Sequence, residues 1–331
     1  MSCGAEKRIL ERISPASASV LNLVSFKTSR ARVLLIRERH LQILPFKQVD
    51  VFTQKPFWGN PVAVVIGAEC VEPAEMQRIA AWTNLSETTF VLRPSSANAD
   101  YRLRIFSPKQ ELPFAGHPTI GSAHAVIESG FASPREGKLR QECLAGILDL
   151  SVEITETGAK IMVQAPAATA VRISDELLPL LISALGTPLM MNTPPLRVDV
   201  GVVWLVVNME KANAVAALRP DMEALVTISN AAQVTGVTVF GRSDDQASAV
   251  HVRSFAPAQG VPEDPVCGSG NASVAAFLKH YDLIKQYGAR YYARQGMQVG
   301  RDGQVAVSVD GEKIKIGGYA VTCVEGTLRL K

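Results

Sequence analysis

The feature that most constrains the fold is an internal repeat. RIFSPKQELP (104–113) set beneath RSFAPAQGVP (253–262) matches without a gap at five of ten positions: Arg, Phe, Pro, Gln and Pro. After a three-residue offset, each copy runs through a glycine-bearing turn into an apolar stretch. These are GHPTIGSAHAVIESG (116–130) and GSGNASVAAFLKHYD (268–282). The shared order of strand, turn, glycine turn and helix argues for duplication rather than chance. A duplicated chain is expected to fold as two similar halves about a pseudo-twofold axis, and such halves commonly meet at a cleft.

Around the repeat the chain alternates short β-like runs with helical ones. Alternation predicts strands at 47–53, 62–66, 101–106, 146–154, 160–164, 202–207, 248–254 and 305–309, with TTFVLR as a further β-rich run. The segment EPAEMQRIAAWTN (72–84) reads as a helix, with Pro73 in its first turn and Met76, Ile79 and Ala80 at helical spacing. Many strands with few helices predict an α+β fold of mixed, antiparallel-rich sheet. The Pro- and Ala-containing segment 165–186 reads as a junction. The expected domains are therefore 44–168 and 169–319, with 320–331 completing the first.

At 331 residues, 47% hydrophobic and 20% charged, the chain suits a globular protein with a sizeable core. No apolar run approaches the roughly 18 residues that a membrane-spanning helix needs, so no membrane partner is expected. Five scattered cysteines (3, 70, 143, 267 and 323) without a CxxC pair predict reduced thiols and a cytoplasmic setting. The net charge of +3 conceals an asymmetry. Residues 1–43 hold eight Lys/Arg against three Glu, leaving 26 Lys/Arg against 28 Asp/Glu in the body. An acidic body offers no basic face for nucleic acid. The Ser- and Arg-rich stretch 1–43 reads as an extension outside the globular part: a transit-type presequence, an interaction tail, or sequence upstream of the true start.

Each repeat would present a helix N-terminus to the cleft, where unpaired N–H groups and the helix dipole favour an anion. Gly116, Gly268 and Gly270 permit close approach of a ligand to the backbone. Thr119 or Ser122 on one side and Ser269 on the other are candidate hydroxyl donors. Two facing helix ends suit a small carboxylate, or an enolate-like intermediate derived from it. The Gly-Ser-Gly turn is no dinucleotide fingerprint, because Ser273 occupies the third glycine position and PEDP replaces the preceding strand. Candidate acid/base groups near the turns are His117, Glu263, Asp264, Cys267 and Glu87; Asp264 could equally be a helix-capping acid. Glu87 has apolar neighbours Leu85 and Phe90, whose burial of the carboxyl would raise its pKa. His124 and Glu128, four apart on the following helix, read as structural. No ligand pair has metal-site spacing, so no metal is expected.

NPVAVV, NLSETTF, ELPFAGHPT and EDPVCGSGNA stand in order along the chain. Together they closely resemble the phenazine-biosynthesis PhzF-like family, within the diaminopimelate-epimerase-like superfamily, from about Leu44 to the C-terminus. The resemblance implies two α+β domains, each a barrel-like sheet around a central helix, with the site between them. It implies a homodimer without metal or organic cofactor, acting as an isomerase that relocates a proton on a small anionic metabolite. Carried over by motif, Glu87 is the general acid/base. His117 and Asp264 bind and orient the substrate, while Gly116, Gly268 and Ser269 fall in the anion turns and Asn60 is a secondary candidate. Cys267 departs from the pattern, since many such sequences have threonine there. Related epimerases pair a cysteine in this turn with a second one, but the matching residue here is Ala115. A helix N-terminus could lower the Cys267 pKa. A Cys267-assisted epimerase and a non-catalytic ligand-binding protein are therefore the alternatives.

Overall fold

The computed structural model describes residues 42–244 and 248–330. The expected extension lies outside the described residues up to position 41. The first strand, however, already includes Gln42 and Ile43, so the globular part starts slightly before the expected Leu44.

The first run of elements is β1 (Gln42–Val51), β2 (Asn60–Ile66), α1 (Pro73–Thr83), β3 (Thr88–Leu92), β4 (Tyr101–Phe106), β5 (Glu111–Leu112), α2 (Gly116–Glu128), β6 (Lys138–Cys143), β7 (Gly146–Thr155) and β8 (Gly158–Gln164). Next come β9 (Thr169–Arg172), α3 (Leu178–Leu185), β10 (Leu196–Asp199), β11 (Val203–Lys211), α4 (Ala212–Ala217), α5 (Met222–Ala231) and β12 (Gly236–Arg242). The chain continues through β13 (Val250–Ala256), β14 (Val261–Asp264), α6 (Gly268–His280), β15 (Arg290–Gln295), β16 (Gly303–Asp310), β17 (Lys313–Gly318) and β18 (Ala320–Leu330). The fold is a mixed, sheet-rich α+β arrangement.

One order of strand pairing occurs twice. In the first run β1–β2 is antiparallel, β2–β3 parallel, β3–β4 and β4–β5 antiparallel, β4–β6 parallel, and β6–β7–β8 antiparallel. The strands from β10 to β17 repeat that order step for step. The parallel steps coincide with α1 and α2 in one copy, and with α4–α5 and α6 in the other, as parallel crossovers require. β8 and β17 pair antiparallel and join the copies into one sheet, while β18 adds to β1 and β9 to β10. The expected boundary at 168/169 falls in the loop between β8 and β9.

α2 and α6 lie in the interior. α2 is buried continuously from His117 to Ala123, and α6 from Gly270 to Leu278. A helix apolar on every side belongs inside a core rather than on a surface. α2 packs against β1, β2, β3, β8, β17 and β18, and α6 against β9–β12, β16 and β17. Gly121 makes the first of these packings possible: a Cβ there would lie 2.4 Å from Val62 and 2.8 Å from Val51. Two smaller apolar clusters sit beneath α1 and beneath α3 and α5.

Segment 165–186, read from sequence as a junction, carries β9 and all of α3. α3 buries Leu181, Ala184 and Leu185 and ends at Gly186 in the left-handed region (φ 66°), a conformation glycine adopts without steric cost.

Candidate active site

The repeated arginine has the same task in both copies. Arg104 on β4 grips Glu111 with two bonds of 2.7 Å, and Arg253 on β13 grips Glu263 at 2.9 and 2.8 Å. Each two-pronged pair latches a short hairpin whose next residues open a buried helix, fixing the direction in which that helix points. The second latch is the more buried, and Arg253 also donates to the carbonyls of Val215 and Leu218. Strand register sets Leu112 opposite Ile105, and Asp264 opposite Ser254. ELPFAG therefore corresponds to EDPVCG, and Pro113 to Pro265. The ungapped match of Pro113 with Pro262 is corrected, because the second hairpin is three residues longer.

The helix ends converge. A Cβ on Gly116 would lie 3.0 Å from Ile316 of β17, and one on Gly268 would lie 3.1 Å from the same side chain and 3.7 Å from the His117 nitrogen. The first N–H groups of a helix have no carbonyl partner in their own helix, and the dipole adds positive potential there. Both helices thus aim donors at one region. Ser269 is oriented by a residue the motifs did not reveal. Trp204 of β11 donates from Nε1 to Ser269 Oγ at 2.9 Å, so the hydroxyl proton of Ser269 points elsewhere.

Glu87 and His117 face each other, with His117 Nε2 3.4 Å from Glu87 Oε2. Both atoms are shielded from solvent and neither has a hydrogen-bond partner. Burial raises the Glu87 carboxyl from 4.5 to about 7, against a bond from Ser86 that lowers it. Burial also lowers the His117 imidazole to about 4, outweighing Asp264, Asp50 and a bond to the Pro61 backbone, all of which favour its charged form. Proline has no N–H, so that bond runs from the ring to the Pro61 carbonyl. Nε2 itself has no partner and faces the equally unpartnered Glu87 Oε2. Asp264 is raised to about 6, first by burial and then by the nearby Glu87 charge.

Asp264 does not cap α6. Its Oδ1 instead accepts from Val266 N at 3.0 Å and from Asn60 Nδ2 at 3.1 Å, and Asn60 Nδ2 also donates to the Val266 carbonyl at 3.0 Å. The cap is Cys267, whose Sγ accepts from Gly270 N at 3.2 Å. The expected lowering of its thiol pKa is overturned. Cys267 is 4% exposed, and burial beside Asp264 pushes the thiol well above its usual value.

The candidate hydroxyls of α2 point away from the helix end. Thr119 accepts from Gln141, and Ser122 bonds Thr89, both in the core. Glu128 binds Lys47 and Thr322 and lies 3.9 Å from His124, as a structural role requires. In the second copy Asn271 and Gln295 hold the turn, bonding the Cys267 and Asp264 carbonyls. A cleft of about 630 Å³ lies instead on the outer face of the β8–β17 seam, lined by Lys138, Gln164, Arg290 and Lys315 among others, and contains none of the candidate residues. Among the described residues no cluster of His, Cys, Asp and Glu is arranged to hold a metal ion, and no helix is long and apolar enough to cross a membrane.

Register also relates the copies residue by residue. Thr88 pairs with Phe106, and Val237 with Phe255, the phenylalanine of the second repeat. Glu87 therefore corresponds to Gly236, where a Cβ would lie 2.0 Å from the Phe255 carbonyl oxygen. His117 corresponds to Ser269, and Cys267 to Ala115. The polar equipment is split unevenly between the copies.

Residues 49–326 match the family model described as phenazine biosynthesis-like protein, PhzC-PhzF. The chain is 41% identical to Antisense-enhancing sequence 1 of Schizosaccharomyces pombe, over 85% of this chain and 97% of that protein. It is 33% identical to the trans-2,3-dihydro-3-hydroxyanthranilate isomerase of Pseudomonas fluorescens, over 85% and 98%. A solved PhzF-family structure from Bacillus anthracis superposes with a TM-score of 0.76 at 27% identity, covering 87% of this chain and 99% of that one. By sequence and by fold, the chain belongs to the phenazine biosynthesis-like PhzC-PhzF family.

Proposed function

We propose that the protein is an isomerase that relocates a proton on a small carboxylate substrate. In this reading the substrate binds where the ends of α2 and α6 converge, between two domains, approximately 44–168 with 320–331 and 169–319, related by a pseudo-twofold axis. The observation that carries this reading is the pairing of Glu87 with His117. A carboxyl poised near pH 7 stands against an imidazole kept neutral, and the ends of α2 and α6 converge beside them.

In the proposed mechanism ionised Glu87 removes a proton from carbon, and an acid/base group poised near the working pH suits that task. The negative charge that develops on the substrate is met by the first N–H groups of α2 and α6 and by the Ser269 hydroxyl. Glu87 then returns the proton to a different carbon, so the atoms balance and no external reductant or oxidant is needed. His117 and Asp264 orient the substrate; neutral His117 accepts a hydrogen bond at Nε2 without competing for the proton. The reading assigns no step to a metal or organic cofactor and includes a homodimer in the cytoplasm. The name of the fission yeast relative states no reaction, so the substrate class leans on the bacterial isomerases.

The test is turnover of trans-2,3-dihydro-3-hydroxyanthranilate in deuterated buffer. Deuterium should enter the product, and Glu87→Gln should slow turnover by roughly 10²- to 10⁴-fold. Unchanged exchange and turnover in Glu87→Gln would sink the role of Glu87. Tight binding of a metabolite with no proton exchange would favour a binding protein instead. A Cys267-assisted epimerase is disfavoured by the buried thiol of high pKa and by Ala115, which leaves no second thiol.

A further inference from the structure

We propose that Asn60 is a positioning bracket, holding Asp264 and the Val266 turn across the two copies, and that it acts through Asp264 rather than on substrate. The catalytic consequence rests on the acid/base reading above; the bracket itself rests on the two hydrogen bonds that Asn60 makes across the copies.

Asn60 opens β2 and is 2% exposed. Its Nδ2 is committed to the second copy, donating to Asp264 Oδ1 and to the Val266 carbonyl. The backbone of the next residue, Pro61, favours the charged form of His117. One side chain of the first copy thus grips both a carboxyl and a backbone carbonyl of the second. The strand end is itself rigid. Asn60 pairs with Val51 and Pro61 with Asp50, and Gly59 N donates to Asp50 Oδ2 at 2.9 Å. A Cβ on Gly59 would lie 2.1 Å from the Val51 carbonyl oxygen, so glycine is what lets the chain enter β2 along this path.

Asp264 Oδ1 therefore takes two N–H bonds, from Asn60 and Val266, which favours the charged carboxylate and stops it rotating. The groups facing Asp264 are Glu87, His117 and Cys267, and Asp50 acts on His117 from β1. By register the second copy has Val202 in place of Asn60, so the bracket is built from one side only.

The experiment uses the full chain with Asn60→Ala and the milder Asn60→Ser, and Pro61→Ala as a control that keeps the carbonyl. Carboxyl carbon NMR, with Asp264 assigned through Asp264→Asn, reads the titration of Asp264 without any substrate. Both Asn60 variants should move the Asp264 midpoint upward, whereas Pro61→Ala should leave the midpoint in place. On trans-2,3-dihydro-3-hydroxyanthranilate, kcat should fall on the order of 10- to 100-fold with a smaller change in KM. The acid limb of the kcat/KM profile should rise in pH together with the Asp264 midpoint. An unmoved midpoint in either folded variant, or a rise in KM alone, overturns the bracket. If the unmodified protein does not turn over this substrate, the functional reading fails while the titration still decides the bracket.

Discussion

Replacing Glu87 by Gln isolates the cost of ionising a carboxyl inside this fold. Burial moves Glu87 from 4.5 to about 7, so the native protein keeps a proton that the unfolded chain releases. Between those two values the native state binds more protons, and stability falls as pH rises, with the loss complete above about pH 7. At about 1.4 kcal/mol per unit, the shift corresponds to a loss on the order of 3 kcal/mol. Gln cannot ionise and escapes that loss. Its melting temperature should follow that of the unmodified protein near pH 5 and exceed it by roughly 5–10 °C near pH 8.5. Asp264 adds in the same direction, because the Glu87 charge that raises it is gone. His117 runs the other way, its lowered pKa making stability rise with pH between about 4 and 6.5, but both proteins carry it and it largely cancels. The assay is differential scanning calorimetry of both proteins from pH 5 to 8.5. A difference that stays flat, or that widens toward acid, refutes the claim that burial poises Glu87.

Cys267→Ser should keep activity and fold, since a hydroxyl also caps Gly270 N, and iodoacetamide should leave the native unmodified protein active; inactivation that tracks alkylation of Cys267 in mass spectra would contradict this. Arg253→Met should cost about 3–5 kcal/mol in urea unfolding by leaving Glu263 buried and unpaired. Arg104→Met, whose partner is more solvent-accessible, should cost clearly less; equal costs would count against the burial argument. Gly121→Ala should cost roughly 1–3 kcal/mol by the same measurement, because its methyl meets Val62 and Val51. Trp204→Phe should raise KM several-fold with a smaller change in kcat, as Ser269 loses the bond that aims its hydroxyl.

Local pattern made much of the sheet legible. Alternation located β1, β2, β4, β7, β8 and β16 to within a few residues, and helical spacing located α1. The repeat located α2 and α6, because a glycine turn followed by an apolar run is a local signal. What stayed hidden is non-local. The segment 320–331 is expected to complete the first domain, but no local pattern encodes the register of β18 along β1, a partner nearly 300 residues away. The Glu111 and Glu263 latches were obscured by the three-residue difference between the hairpins, which the ungapped match could not register. The pairing of Asn60 with Asp264 spans 204 residues. Cys267 shows the other kind of failure: its place at a helix N-terminus is readable, but the burial that dominates its pKa is set by the packing of β12, β13 and β17 around the turn.

The unevenness between the copies bears directly on the chemistry. Inverting a carbon centre by proton transfer calls for a group on each face of the substrate, and matched copies would supply such a pair naturally. Here the correspondents of Glu87 and Cys267 are Gly236 and Ala115, neither of which can carry a proton. Reversion at Gly236 is sterically blocked, since any side chain would run into the Phe255 carbonyl oxygen. Ser269, standing where the first copy has His117, is bound to Trp204 as a hydrogen-bonding group. The first copy thus contributes Glu87, whose carboxyl is poised near 7, and the imidazole of His117, kept neutral against it. In the proposed mechanism the second contributes Asp264, Ser269 and a capped helix end to binding and orientation. Such a division favours one base that takes a proton and gives it back elsewhere over two bases working from opposite faces. A solvent-exchange measurement can separate the two, because a single base holding its proton in a buried site returns part of the original label to the product, whereas two bases deliver solvent hydrogen from the second.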